Sequence, residues 1–129
     1  MATLRFTTTT LSTPDPPRLA AFYAALLGWE ERYADDGWVV LRAPGDDDRS
    51  GHALAFHIDE QYSPPVWPSR RGEQSMMGHI EVGTDDLDGA VEHALACGAS
   101  LATRQPQDDV RVMLDPDGHP FCLFVTSAL

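Results

Sequence analysis

Ser12-Thr13-Pro14-Asp15-Pro16-Pro17, running through Leu19, Phe22, Tyr23 and Leu26 to Gly28, is matched later in the chain by Gly83-Thr84-Asp85-Asp86, running through Leu87, Ala90, Val91, Ala94 and Leu95 to Gly98. Each stretch opens on an Asp whose side chain can accept from the free N–H groups of a first helical turn. Pro16 takes the first-turn position, where a missing N–H costs nothing. Apolar residues then recur at helical spacing, and each stretch stops at a glycine suited to the left-handed position after a helix. The spacing predicts one helix written twice, and a fixed internal repeat is the first clue to an architecture.

Each predicted helix is preceded by one alternating stretch and followed by three. In the first half these are Leu4–Leu11, then Trp29–Tyr33, Trp38–Arg42 and His52–Asp59. In the second they are Met77–Val82, then Ala99–Arg104, Val110–Leu114 and Pro120–Thr126. Asp115-Pro116-Asp117-Gly118 has the chemistry of a tight turn between antiparallel strands, and the looser Pro44–Gly51 is its counterpart. The fold expected is α+β: two βαβββ repeats, about 1–60 and 76–129, forming a curved mixed sheet with the helices on its convex face. A Pro-rich linker over about 61–75 joins them, and the whole of 1–129 is expected to be a single domain.

Alternation assigns sheet faces. Leu54, Phe56 and Ile58, Ile80 and Val82, Val112 and Leu114, and Phe121, Leu123 and Val125 are expected beneath the helices. Trp38, Val40, Ala55, His57, His79, Glu81, Arg111, Met113, Cys122 and Phe124 are left for the opposite face. Polar and apolar side chains mixed on one face are what a ligand pocket requires.

Composition narrows the partners. The 129 residues are enough to bury a core, and 43 % hydrophobic with 22 % charged residues is ordinary for a globular chain. Twenty acidic residues against nine basic ones, all Arg, give a formal net charge of −11. That balance speaks against nucleic acid and against an anionic membrane, which both call for clustered cations. No run of about 18 apolar residues is present, and Met1–Thr10 lacks the apolar core of a secretory signal, so a cytoplasmic protein is expected. Cys97 and Cys122 are too few and too far apart for a disulfide framework and are read as free buried thiols.

Asp15 through Phe22-Tyr23 to Leu27-Gly28, His79-Ile80-Glu81-Val82 with Asp85-Asp86-Leu87-Asp88, and Asp115-Pro116-Asp117-Gly118-His119-Pro120-Phe121-Cys122-Leu123 carry a resemblance. In this order and spacing the chain resembles the vicinal oxygen chelate superfamily, which includes glyoxalases, extradiol dioxygenases, fosfomycin-resistance enzymes and bleomycin-binding proteins. Its ending is similar to the glyoxalase-like branch. The resemblance implies a pocket on the concave sheet face and a homodimer. In metal-dependent members it implies one ligand from each of four strands, usually His or Gln, His, and Glu. Carried onto this chain, those positions are Thr8, Ala55, His79 and Cys122, of which only His79 matches in type.

A divalent cation needs several imidazole or hard donors together, which a Thr hydroxyl and an Ala do not supply. A shifted set of His57, His79, Glu81 and Cys122, led by His79, is the alternative. Residues two apart on a strand are separated by about 6.5–7 Å, so the shift needs a bulge or rotated strands. No cofactor is therefore expected, with a divalent metal disfavoured. The reading is a metal-independent small-molecule binding protein of the glyoxalase/bleomycin resistance type. Trp38, Trp67 and Met113 form its apolar surface, His57, His79 and Arg111 orient the ligand, and Glu81 and Cys122 lie beside them. The alternative is a metal-dependent lyase, isomerase or dioxygenase acting on vicinal oxygens. His52 and His119, at equivalent turn positions, are expected to be structural, His93 exposed, and the run Asp46–Asp48 without a functional role.

Overall fold

A computed structural model describes residues 1–48 and 51–129, so Arg49 and Ser50 of the expected Pro44–Gly51 connection lie outside the described residues. In chain order the elements are β1 (Thr8–Thr13), α1 (Pro16–Leu27), β2 (Glu30–Ala34), β3 (Trp38–Arg42), β4 (Ala53–Ile58), β5 (Ile80–Thr84), α2 (Leu87–Cys97), β6 (Ser100–Leu101), β7 (Val110–Leu114) and β8 (Pro120–Val125). They form two four-stranded mixed sheets with one strand order, β1-β4-β3-β2 and β5-β8-β7-β6, each a βαβββ unit. The chain divides into two compact units, Met1–Tyr62 and Ser63–Leu129.

The repeated caps form as their residue types require. Asp15 accepts from the Arg18 N–H at 3.2 Å and Asp86 from the Gly89 N–H at 3.0 Å. Both helices stop at a glycine with left-handed backbone, Gly28 at φ 68° and Gly98 at φ 118°, a conformation that burdens any residue carrying a Cβ.

In the first unit Leu19, Ala20, Phe22 and Tyr23 of α1 are buried, as are Val39, Leu41, Leu54 and Phe56 of the sheet. Tyr23 stacks on Phe56 with ring centroids 5.6 Å apart. Full burial of each such side chain contributes about 1.5–3 kcal/mol. Val39 opposes Phe56 and Leu41 opposes Leu54, so one face of β3 and β4 meets the helix. Trp38 opposes His57 and Val40 opposes Ala55 on the other face, as alternation predicts. The run Asp46–Asp48 does have work in this unit: Asp46 and Asp48 hold the buried Arg42 at 2.7 and 3.1 Å, and Asp48 also bonds Arg32 at 2.6 Å. A buried guanidinium needs such partners.

In the second unit Ile80 opposes Phe121 and Val82 opposes Leu123, forming the face under α2. Strand β7 departs from expectation. Arg111 opposes Leu123 and Met113 opposes Phe121, and directly opposed residues share a face, so Arg111 and Met113 lie on the helix side. Met113 is fully buried. Val110 and Val112 occupy the other face, opposite Phe124 and Cys122. Arg111 is the one polar residue of β7, and the phase its charge suggests is the reverse of the one the register shows.

Strand β6 is also shorter than the expected Ala99–Arg104. The Ala102 N–H still donates to the Val112 carbonyl at 3.0 Å, but Gln105 then replaces the ladder. Its amide donates to the carbonyls of Ala102 and Val112, both at 2.9 Å, and accepts from the Val112 N–H at 2.8 Å. The turn before β8 centres on Asp115, which is buried and accepts from the backbone N–H groups of Asp117 and His119 at 2.9 and 3.0 Å. His119 Nδ1 lies 2.8 Å from the same carboxylate, a structural role as expected.

Candidate functional site

On the β5–β8–β7 face opposite α2, Glu81, Cys122 and Val112 lie side by side. Glu81 opposes Cys122 in the parallel pair and Cys122 opposes Val112 in the antiparallel one. Phe124 and Val110 continue the face one pleat along. His79 immediately precedes β5, two residues before Glu81. The backbone therefore brings an imidazole, a carboxylate and a thiol together. Their ligand atoms lie within 4.8 Å of one another, and His79 Nε2 is 3.1 Å from Glu81 Oε1.

This face, with Val110, Val112 and Phe124, floors a cavity of about 450 Å³ lined also by Met76, Trp67, Pro106, Gln107 and Asp109. Water reaches the polar pair, since 31 % of the His79 side chain and 60 % of the Glu81 side chain are exposed. Cys122 is half-buried, and burial first and then the Glu81 charge push its thiol above the ordinary 9.0. A raised pKa leaves less thiolate at any given pH and makes Cys122 a poorer nucleophile than an ordinary thiol.

Of the site residues expected from the sequence, Trp67, His79, Glu81 and Cys122 meet around this cavity. Trp38 and His57 meet in the first unit, ring centroids 5.8 Å apart and edge to face. Arg111 and Met113 belong to neither place. Met113 is core, and the Arg111 guanidinium donates to the carbonyls of Gln107, Asp108 and Val110 at 3.3, 3.0 and 2.8 Å. Phe124 was expected on the pocket face but not among the ligand-binding residues, Val112 was expected beneath the helix, and Val110 was not assigned. The register that opposes Val112 to Cys122 is the signal that finds them. Trp67, from the Pro-rich linker, lines the cavity.

The first unit has the same ladder with different chemistry. Thr10 opposes Ala55 and Ala55 opposes Val40, as Glu81 opposes Cys122 and Cys122 opposes Val112. Thr8 and Thr10 thus stand where the second unit has His79 and Glu81, and the fully buried Ala55 stands where it has Cys122. Thr8 and Ala55 supply no imidazole or carboxylate, so the residues present do not fit a four-strand centre drawing ligands from both halves. The two cysteines are free thiols, and Cys97 has His93 of the same helix 3.8 Å away. No helix among the described residues is long and apolar enough to cross a membrane.

Paired βαβββ units with a pocket face opposite a helix define a class of fold, and solved structures share it along nearly the whole chain. A glyoxalase/bleomycin resistance protein/dioxygenase family enzyme from Burkholderia phytofirmans PsJN aligns with a TM-score of 0.68 at 19 % identity, over 95 % of this chain and 98 % of that one. A glyoxalase-related enzyme from Fulvimarina pelagi gives 0.66 at 18 %, over 98 % and 89 %. A genomically encoded fosfomycin resistance protein from Listeria monocytogenes gives 0.66 at 16 %, over 99 % and 96 %. At these identities the likeness is one of fold. No curated protein matches the sequence. The model of the glyoxalase-like domain matches residues 8–124, and the chain belongs to that family.

Proposed function

We propose that this chain is a small-molecule binding protein of the glyoxalase/bleomycin resistance type, holding an apolar or aromatic ligand in the second unit's cavity without a metal to bridge it. The cavity carries this reading. Its volume falls in the range of about 300–1,000 Å³ usual for ligand pockets, and its walls are apolar around one convergent polar pair. Trp67 and Phe124 offer aromatic surface, Val110 and Val112 fill the floor, and His79 with Glu81 orients a polar end of the ligand. The rival, a metal-dependent lyase, isomerase or dioxygenase acting on vicinal oxygens, needs donors from both halves, and Thr8 and Ala55 weaken it.

A neutral aromatic fluorophore such as Nile red tests the pocket. Binding should weaken about tenfold, or roughly 1.4 kcal/mol, in Phe124→Ala or Trp67→Ala, and should be unchanged by EDTA. Binding indifferent to both substitutions, or abolished by the chelator, would sink the reading.

A homodimer belongs to the same proposal. β1 and β5 end their sheets with one edge free of a strand partner in that sheet, and Leu4 and Phe6 are exposed apolar residues that a second copy would cover. Light scattering should then report twice the 14.1 kDa of one chain.

A further inference from the structure

We infer that Gln74 is a positioning residue for this cavity: it ties down the loop that carries Trp67 and so holds the pocket's aromatic wall in place. The role rests on the pocket reading and deepens it, since a wall needs placing only where a ligand meets it.

No helix or strand lies between β4 and β5, so no ladder holds Trp67. Irregular connections beyond about 12–15 residues are uncommon, and most are either disordered or functional. This one is ordered by bonds that meet at Gln74. The Val66 N–H donates to the Gln74 backbone carbonyl at 2.7 Å. The Gln74 side-chain amide donates to the Ser63 carbonyl at 3.0 Å. One residue thus grips the chain at Val66, immediately before Trp67, and again at Ser63. A short turn closes the far end, where the Glu73 N–H donates to the Arg70 carbonyl at 3.1 Å.

The base of the loop rests on the turn that precedes β8. Pro64 Cβ lies 3.0 Å from the point that a Cβ on Gly118 would occupy, nearer than side chains ordinarily pack. Gly118 therefore lets Pro64 settle against the turn, and the Gln74 bonds carry that anchorage across to Trp67. Trp67 itself is half-buried and lines the cavity. A ring already held in place spares the ligand the entropy of ordering it, and affinity rises with that preorganisation. The donor matters as much as the contact. Ser63 offers a carbonyl, which only accepts, so the group at position 74 must bring an N–H.

Nile red binding to the full chain tests the assignment. Gln74→Glu keeps the length of the side chain but sets an acceptor against an acceptor, and Gln74→Ala removes the group. Both variants should weaken binding about two- to tenfold, the range that one hydrogen bond carries. Both should leave the urea midpoint unchanged, because the bond is exposed and joins loop to loop. Arg70→Ala, which removes an exposed ion pair with Glu73 in the same loop, should leave binding as it is. In a Trp67→Ala background, Gln74→Glu should cost nothing further, since Gln74 acts through that ring. Trypsin should also cut at Arg70 and Arg71 faster in Gln74→Glu than in the wild type. Wild-type affinity in both Gln74 variants, beside a weakened Trp67→Ala, overturns the role of Gln74 and spares the pocket. A Gln74 effect of full size in the Trp67→Ala background overturns it as well. Unchanged binding in Trp67→Ala itself would sink both readings.

Discussion

Glu81 lies directly opposite Cys122 in the parallel β5–β8 ladder, and its carboxylate is the second cause, after burial, of the thiol's raised pKa. A raised pKa leaves less thiolate at any given pH, so Cys122 should react with iodoacetamide at pH 8 more slowly than a free thiol. Glu81→Gln removes the charge but not the burial, and the rate should rise only a few-fold. The folded value stands above the unfolded 9.0, so this thiol's contribution to stability is present below pH 9 and fades as pH climbs through the folded value. A Cys122 that alkylates faster than a free thiol would contradict the arrangement.

Met113 and Val112 are neighbours with opposite duties. Met113→Ala opens a hole under α2 and should cost about 2–5 kcal/mol in urea denaturation, with ligand binding by the surviving folded protein unchanged. Val112→Ala should reverse the emphasis, weakening the fluorophore more than the fold. Equal effects on both readouts from both variants would mean the β7 register is wrong.

Asp115 accepts from two backbone N–H groups and from His119 while almost wholly buried. Asp115→Ala removes the carboxylate those donors share, and equilibrium unfolding should show a loss of about 2–3 kcal/mol.

The caps on the two helices invite a smaller test. Asp86→Ala exposes the first turn of α2 and should cost about 1 kcal/mol, seen as a lowered Tm. Asp86→Asn, which keeps an acceptor, should recover most of it.

The helices were legible because their ends are written in residues with one dominant use: an Asp cap and a left-handed glycine bracket both. Strands β3 and β7 were read to the residue, since Trp38–Arg42 and Val110–Leu114 lie between clear turn signals. The orientation of β7 was not legible. Val110, Val112 and Leu114 on one side and Met113 on the other are all apolar, and only hydrogen bonding to β8 shows which side meets the helix. Arg111 misled for a related reason, as its charge suggested the pocket while local carbonyls absorb it. His79, Glu81 and Cys122 were assigned to a common face correctly, but their mutual distance depends on side-chain rotation that no spacing encodes. The cavity rim at Pro106–Asp109 is loop and has no period to read.

The matching ladders of the two units have a practical consequence. Because Thr8, Thr10 and Ala55 stand where His79, Glu81 and Cys122 stand, the molecule carries a second copy of that ladder, on the same topology, without the imidazole, the carboxylate and the thiol. Any reagent, ion or ligand that labels one copy and spares the other is reporting on three side chains rather than on the architecture. Grafting His, Glu and Cys onto those three first-half positions would show whether the scaffold is sufficient, with Ala55 the hardest graft because it is fully buried and a larger side chain there risks overpacking.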